Sequence, residues 1–353
     1  MTRFLILSGS YGWGHNYAKN NIQNYLEKNG NEVKSLDFLG LMQNKSEQKS
    51  HFYEFVEGKK ILGKLTQYII DKKITNSLID LNLQITTQKK FNKEIEKYKP
   101  NYIICTFPLW PLLIKNYLKN HKKTFKVGVI ATDTLNICYQ WIAGKNAVDY
   151  YFVIDKNTKE SFEKKFNHTK NNVFAYFFPL EENLFVDKEK IENKNICMIL
   201  SSCIREKIYE EFLEKMQNKD FFEKLIIIKG RNDKVYVNLK KKFDNINSFE
   251  FKDFFDIKEN LKNIDIMITK PGGSIISECI AGDIFIICPG YNPGQEKQNA
   301  QFVEEVGIGI QENNPEKMVN LIEANNFNQF LKNYGKIKNK KAIESIINKM
   351  TEK

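Results

Sequence analysis

Short, almost wholly apolar runs alternate along the chain with stretches whose apolar positions recur every three or four residues. The first half offers Phe4–Leu7, Glu32–Leu36, Tyr102–Cys105, Lys126–Ala131 and Tyr150–Ile154 as strands, with helical patterns at 16–28, 88–98, 110–119 and 156–166. The second half offers Ile196–Leu200, Leu225–Ile228, Ser248–Phe251, Ile264–Thr269 and Ile284–Cys288, with helices near 205–217, 233–242, 256–262, 274–281, 297–306 and 315–323, and a last one over 338–350. Strands that are apolar on both faces and rich in β-branched residues belong inside parallel sheets covered by helices. Two such series predict an α/β chain of two doubly wound, Rossmann-like domains in tandem, with a ligand in the cleft faced by the carboxyl ends of their strands. The segment Tyr176–Asn183, a proline followed by polar residues, reads as the linker. It divides an N-terminal domain (1–178) from a C-terminal one (179–335), and 336–353 is a terminal helix that could pack back on the N-terminal domain.

Composition narrows the class. With 353 residues, 42% hydrophobic and 27% charged, the chain can bury two cores and is not disordered. No stretch approaches the roughly 18 to 20 uninterrupted apolar residues of a spanning helix, so an integral membrane protein is not expected. The N-terminus runs straight into a strand without a long apolar region, and a secretory signal is not expected either. Six scattered cysteines, the nearest pair being Cys197 and Cys203, fit no metal spacing and read as reduced thiols in a cytosolic protein.

The net charge of +11 is unevenly spread. Residues 1–180 hold 27 Lys and Arg against 15 Asp and Glu, and the remainder holds 27 against 28. A basic half can face nucleic acid, an anionic membrane or a polyanionic substrate. Within it, Phe52, Phe55, Val56, Ile61, Leu62, Leu65, Tyr68 and Ile69 recur at helical spacing, with Lys59, Lys60, Lys64, Lys72 and Lys73 between them. Such a basic, aromatic, amphipathic stretch suits the surface of an anionic bilayer, and equally suits a helix with its apolar face in the core. No recognised nucleic-acid module accompanies the basic half, so nucleic acid is not an expected partner.

Candidate chemistry gathers at three turns. The first strand ends in Ser8-Gly9-Ser10-Tyr11-Gly12-Trp13-Gly14-His15, just before a helix. Glycines let backbone N–H groups approach a ligand, and His15 is a natural general base. Asp133, just beyond a strand in Ala131-Thr132-Asp133-Thr134, could orient His15 or bind an acceptor hydroxyl. In the third turn, Lys270-Pro271-Gly272-Gly273 leads into a helix that Ser274 can cap, an arrangement that suits a diphosphate. Glu278, one turn in, can accept both hydroxyls of a ribose. Gln295 and Glu296, after Pro293-Gly294, place an amide and a carboxylate suited to sugar hydroxyls.

These residues carry a resemblance. K-P-G-G-S-I-I-S-E and P-G-Q-E-K-Q-N-A within 269–301 closely resemble the donor-binding segment of the processive diacylglycerol glucosyltransferases and monogalactosyldiacylglycerol synthases. G-S-Y-G-W-G-H, A-T-D-T, Tyr150-Tyr151-Phe152-Val153 and the basic stretch 51–75 resemble further landmarks of that family, and Gly230-Arg231-Asn232 resembles the turn after the second strand of its donor domain. The resemblance implies a GT-B glycosyltransferase, its acceptor held by the N-terminal domain and its UDP-sugar by the C-terminal one. It implies metal-independent inversion with no cofactor. His15 would deprotonate diacylglycerol or a glycosyldiacylglycerol beside the acceptor-loop residues Gly12, Trp13 and Gly14. Gly272, Gly273 and Ser274 would hold the diphosphate, Glu278 the ribose, and Gln295 and Glu296 the hexose of UDP-glucose or UDP-galactose. The five lysines would meet an anionic surface, the inner face of the cell membrane, with the protein peripheral and cytoplasmic.

Two departures stand out. Ser201-Ser202-Cys203-Ile204-Arg205 replaces the family's glycine-rich loop, and Ser10 stands where plant galactolipid synthases carry an aspartate. Two other readings stay open: an N-acetylglucosamine transferase acting on a lipid-linked cell-wall precursor, against which Pro293-Gly294-Gln295-Glu296 argues, and a nucleotide-sugar or membrane-binding protein without turnover.

Overall fold

The computed structural model describes residues 1–10, 14–42, 87–135, 137–166, 172–191, 195–230, 232–253, 256–292, 294–324 and 326–352. Two compact units emerge, one of residues 1–180, 293–295 and 341–353, the other of 181–292 and 296–340. Each is built on one parallel sheet of six strands.

The first sheet holds β1 (Arg3–Ser8), β2 (Glu32–Asp37), β3 (Tyr102–Cys105), β4 (Lys126–Ile130), β5 (Tyr150–Val153) and β6 (Val173–Ala175), in the order β2-β1-β3-β4-β5-β6. The two-residue period of a strand sends neighbours to opposite faces. On one face Leu5 and Leu7 join Ile103, Cys105, Val127, Val129, Tyr151 and Val153 over the helices Gln88–Tyr98, Trp110–Tyr117 and Lys156–Phe166. On the other, Phe4 and Ile6 join Ile104, Ile130 and Phe152 over Ile22 and Leu26 of the first helix, Gly14–Lys28, and over Ile343, Ile346, Ile347 and Met350 of the last, Ala342–Thr351. Gly128 of β4 admits that last helix: a Cβ there would lie 2.6 Å from the Met350 sulfur.

The second sheet holds β7 (Asn195–Ile199), β8 (Lys224–Ile228), β9 (Phe249–Lys252), β10 (Ile266–Ile268), β11 (Phe285–Cys288) and β12 (Gly309–Gln311), in the order β12-β11-β10-β7-β8-β9. Read from β9, that is the doubly wound dinucleotide-fold order, with the direction of winding reversing between β7 and β10. Ile196, Met198, Leu225, Ile227, Ile266, Ile268, Phe285 and Ile287 bury one face against the helices Glu206–Met216, Asp233–Phe243 and Pro315–Ala324.

The expected α/β class therefore holds, and ten of the twelve strands lie where the pattern puts them, within two residues at each end. The two unforeseen strands, β6 and β12, are three residues each and lie at the edges of the sheets. An edge strand is paired on one side and short, so it leaves little apolar signal. The amphipathic stretch 51–75, with its five lysines, lies outside the described residues. Among the described residues no helix is long and apolar enough to cross a membrane. All six cysteines are free thiols, with Cys105, Cys197, Cys279 and Cys288 buried.

Candidate functional site

In the first unit the chemistry gathers where β1, β3 and β4, neighbours in the sheet, reach their carboxyl ends. Beyond β1 the chain is held from several sides. The Trp110 Nε1 donates to the Ser8 carbonyl at 2.8 Å. Gly9 lies so close to Phe107 that a Cβ would sit 2.7 Å from that ring. The Ser10 hydroxyl donates to Asp37 Oδ2 at 2.6 Å and accepts from Asn16 Nδ2 at 3.1 Å. Ser10 is thus tied to a carboxylate supplied by the end of β2. Gly14 opens the helix Gly14–Lys28. Gly12 and Trp13 lie outside the described residues.

His15, half-buried, is the second residue of that helix. Its Nδ1 lies 2.7 Å from the Thr106 carbonyl oxygen and 3.1 Å from the Thr132 hydroxyl. A carbonyl can only accept, so Nδ1 carries the hydrogen and Nε2 the lone pair. The Thr106 hydroxyl in turn donates to the His15 carbonyl at 3.1 Å. The Phe107 ring meets the imidazole edge-on at 5.1 Å between centroids, and Trp141 lies at 6.2 Å. Burial pushes the His15 pKa below its ordinary value of 6.5, while the Asp133 charge and the Thr106 carbonyl pull the other way. Asp133 Oδ2 accepts a hydrogen bond from the buried Trp141 indole at 3.0 Å. Thr106 and Thr132 are thus the contacts at Nδ1, and the Asp133 charge favours the imidazolium against burial. Sequence reasoning missed Thr106, although a polar residue directly after an apolar strand was the available signal.

The remaining candidate residues follow β7, β8, β10 and β11; all belong to the second unit except Gln295, which is grouped with the first. After β10 the turn Lys270–Gly272 leads into the helix Gly273–Ala281. Its cap is Gly272, with no side-chain hydrogen bond, and Ser274 lies inside the first turn. The expected Ser274 cap is therefore corrected: the helix starts one residue earlier than the pattern suggested. Gly272 has no side chain with which to cap the helix, so its first-turn N–H groups and dipole suit an anion. Glu278, in the second turn, is 8% exposed.

After β11, Gln295 opens the helix Gln295–Glu305. Glu296 forms an ion pair with Lys270 through Oε1 and accepts the Asn292 N–H on Oε2 at 2.7 Å. Asn299, one turn on and buried, donates to the Pro271 carbonyl at 3.0 Å. Two side chains of one helix thus clamp the Lys270–Gly272 turn, and neither Lys270 nor Asn299 was foreseen in that part.

Gly230, after β8, has φ of 59°, and a Cβ there would lie 2.2 Å from the Leu200 carbonyl oxygen. Asn232 donates from Nδ2 to the Ser201 carbonyl at 3.3 Å, and Arg231 lies outside the described residues. The departing loop after β7 is braced internally, its Ser201 N–H donated to the Tyr209 hydroxyl at 2.9 Å. That N–H is engaged within the fold rather than left for a phosphate. Replacing Gly230 by alanine should cost about 2–4 kcal/mol, from the left-handed backbone and the collision with Leu200 together. Urea unfolding measures it, and a loss below about 1 kcal/mol would contradict so tight a turn.

Among the described residues no group of three or more His, Cys, Asp or Glu side chains is gathered as for a metal ion.

Comparison with known proteins adds to this geometry. A family model for monogalactosyldiacylglycerol (MGDG) synthase matches residues 15–179, and one for the glycosyltransferase family 28 C-terminal domain matches 199–350. The chain is 25% identical over 341 residues to the processive diacylglycerol beta-glucosyltransferase of Bacillus licheniformis, covering 91% of this chain and 85% of that one. It is 25% identical over 339 residues to the protein of the same name from Bacillus subtilis, covering 91% and 86%. Among solved structures, the glycotransferase of kitacinnamycin superposes with a TM-score of 0.67 at 11% identity, covering 99% of both chains. MurG of Acinetobacter baumannii gives 0.63 at 10%, again covering 99% of both. The fold is thus that of the GT-B glycosyltransferases. One family model begins at His15 and the other ends at Met350, so a match to a monogalactosyldiacylglycerol synthase half followed by a family 28 C-terminal domain runs through most of the chain, which is a glycosyltransferase.

Proposed function

We propose that this glycosyltransferase moves a hexose from UDP-glucose or UDP-galactose to the free hydroxyl of diacylglycerol, or of a glycosyldiacylglycerol, at an anionic membrane surface. The observation that carries the reading is the 2.7 Å contact between His15 Nδ1 and the Thr106 carbonyl, which leaves Nε2 with the lone pair of a base. The names of the Bacillus relatives support diacylglycerol as acceptor.

In this reading Nε2 of His15 takes the proton of the acceptor hydroxyl as its oxygen attacks the anomeric carbon. The bond to the UDP oxygen breaks on the opposite face, and UDP leaves with the electron pair, so configuration inverts. Asp133 stabilises the imidazolium that forms. Gly272, Gly273 and Ser274 present the start of the helix Gly273–Ala281 to the diphosphate, and Lys270 stands beside them. That positive end meets the charge on the departing UDP, the task a divalent cation performs elsewhere, so we expect no metal requirement. Glu278 takes the ribose, and Gln295 and Glu296 the hexose. Gly230, Arg231 and Asn232 are assigned to donor binding, and Gly12, Trp13 and Gly14 to the acceptor. Lys59, Lys60, Lys64, Lys72 and Lys73 meet the anionic lipid.

The test is purified protein with diacylglycerol vesicles and a panel of UDP-glucose, UDP-galactose and UDP-N-acetylglucosamine, the lipid products identified by mass spectrometry. Hexosyl-diacylglycerol should form with EDTA present, faster as anionic lipid is added. Transfer of N-acetylglucosamine alone, or UDP binding without any lipid product, would overturn the reading.

A further inference from the structure

A base of this kind needs something to hold its ring, and in the serine-protease arrangement a carboxylate does so. Here the group at Nδ1 is neutral. Thr106 follows β3 directly, is wholly buried, and its N–H is donated to the Leu7 carbonyl at 2.9 Å, so it is anchored to the neighbouring strand β1. From that anchor it touches His15 twice. Its carbonyl accepts the Nδ1 hydrogen at 2.7 Å, and its hydroxyl donates to the His15 carbonyl at 3.1 Å. One contact fixes the ring and the other fixes the main chain that carries it. The Thr132 hydroxyl, at the end of β4 and 3.1 Å from Nδ1, shares the same hydrogen from the other side. Phe107, the residue after Thr106, closes on the ring edge.

We infer that Thr106 and Thr132 are positioning residues for the acceptor-activating base, holding His15 in the tautomer that presents Nε2, with a peptide carbonyl in the place of a triad carboxylate. This rests on the proposed role of His15. Its logic is a division of labour. The carbonyl and hydroxyl set geometry and tautomer but bring no full charge, so stabilising the imidazolium falls to Asp133, which is itself held by the Trp141 indole. A ring gripped from β3 and β4 while its backbone belongs to the helix after β1 cannot swing without breaking contacts to two strands.

The test has two arms. Long-range 1H–15N spectra of 15N-histidine-labelled protein, which has four histidines, read the tautomer without any substrate, and His15→Gln identifies the signal. In the wild type Nδ1 should resonate as a protonated nitrogen and Nε2 as an unprotonated one. Thr132→Val and Thr106→Val both keep the Thr106 carbonyl, so Nδ1 should stay protonated in both, with its shift moved by the lost hydroxyl contact. In the kinetic arm Thr106→Val should lower kcat at least tenfold, with UDP affinity and donor KM within twofold, and Thr106→Ser should restore most of the loss. An unprotonated Nδ1 in the wild type would overturn the inference. So would wild-type kcat in both valine variants, or a parallel fall in UDP affinity and thermal midpoint, which would mark Thr106 as merely structural. If His15→Ala itself kept wild-type kcat, the base assignment would fail while the spectra still decided what holds the ring.

Discussion

His15→Ala is expected to lower kcat by about 10²–10⁴, the usual contribution of a positioned general base, while leaving UDP affinity within about twofold. The split matters because a residue needed only for folding would take both down together. The pH profile gives a second reading of the same group. Burial disfavours the imidazolium more than Asp133 and the Thr106 carbonyl favour it, so the folded pKa lies below 6.5. The base is neutral above that value, and the acid limb of kcat/KM should fall below pH 6.5. Asp133→Asn removes the largest raising influence. It should move the limb to still lower pH and reduce kcat, since the imidazolium formed in the reaction loses its carboxylate. The Trp141 hydrogen bond survives that change, because the asparagine oxygen also accepts. Stability follows the same sign. A histidine whose folded pKa is depressed contributes stability that is complete above its unfolded value of 6.5 and is lost as pH falls through the folded pKa. A limb above 6.5, or one that rises in Asp133→Asn, would show that another group titrates.

Much of the fold was legible because interior parallel strands announce themselves. Leu5, Ile103, Val127 and Tyr151 are apolar because both faces of their strands are covered, so runs such as Tyr102–Cys105 stand out against the helical periods around them. The edges were not legible: Val173–Ala175 and Gly309–Gln311 are three residues long, and half their ladder positions face no strand. The site divided along similar lines. His15 and Glu296 are unusual residue types at strand ends, where chemistry in α/β proteins gathers, and could be named from the chain alone. What grips them could not. Thr106 acts through its peptide oxygen, which every residue has, and Lys270 finds Glu296 across 26 positions of sequence, a pairing that only the adjacency of β10 and β11 creates. The capping of the helix Gly273–Ala281 was misread for a local reason. Ser274 is the kind of residue that caps, but Gly272 and Gly273 before it let the helix begin earlier.

The two donor-side carboxylates should separate cleanly. If Glu278 holds the ribose, Glu278→Ala loses charge-assisted hydrogen bonds of about 1.5–3 kcal/mol, and affinity for UDP and for the UDP-hexose should fall alike, by about 10–100-fold. Glu296 is placed for a different loss. Its Oε1 pairs with Lys270 and its Oε2 accepts the Asn292 N–H, so if it holds the hexose it does so with its remaining lone pairs. UDP carries no hexose, so Glu296→Ala should leave UDP binding intact while lowering kcat/KM for the UDP-hexose by about 10–100-fold. If the diphosphate binds at the start of the helix Gly273–Ala281, UDP affinity should even rise a little, because the released Lys270 ammonium adds positive charge beside it. Calorimetry with UDP alongside steady-state kinetics with the UDP-hexose reads both variants. Equal losses of UDP and UDP-hexose affinity in Glu296→Ala would show that the Lys270–Glu296 pair only braces the two turns, and that the sugar is read elsewhere.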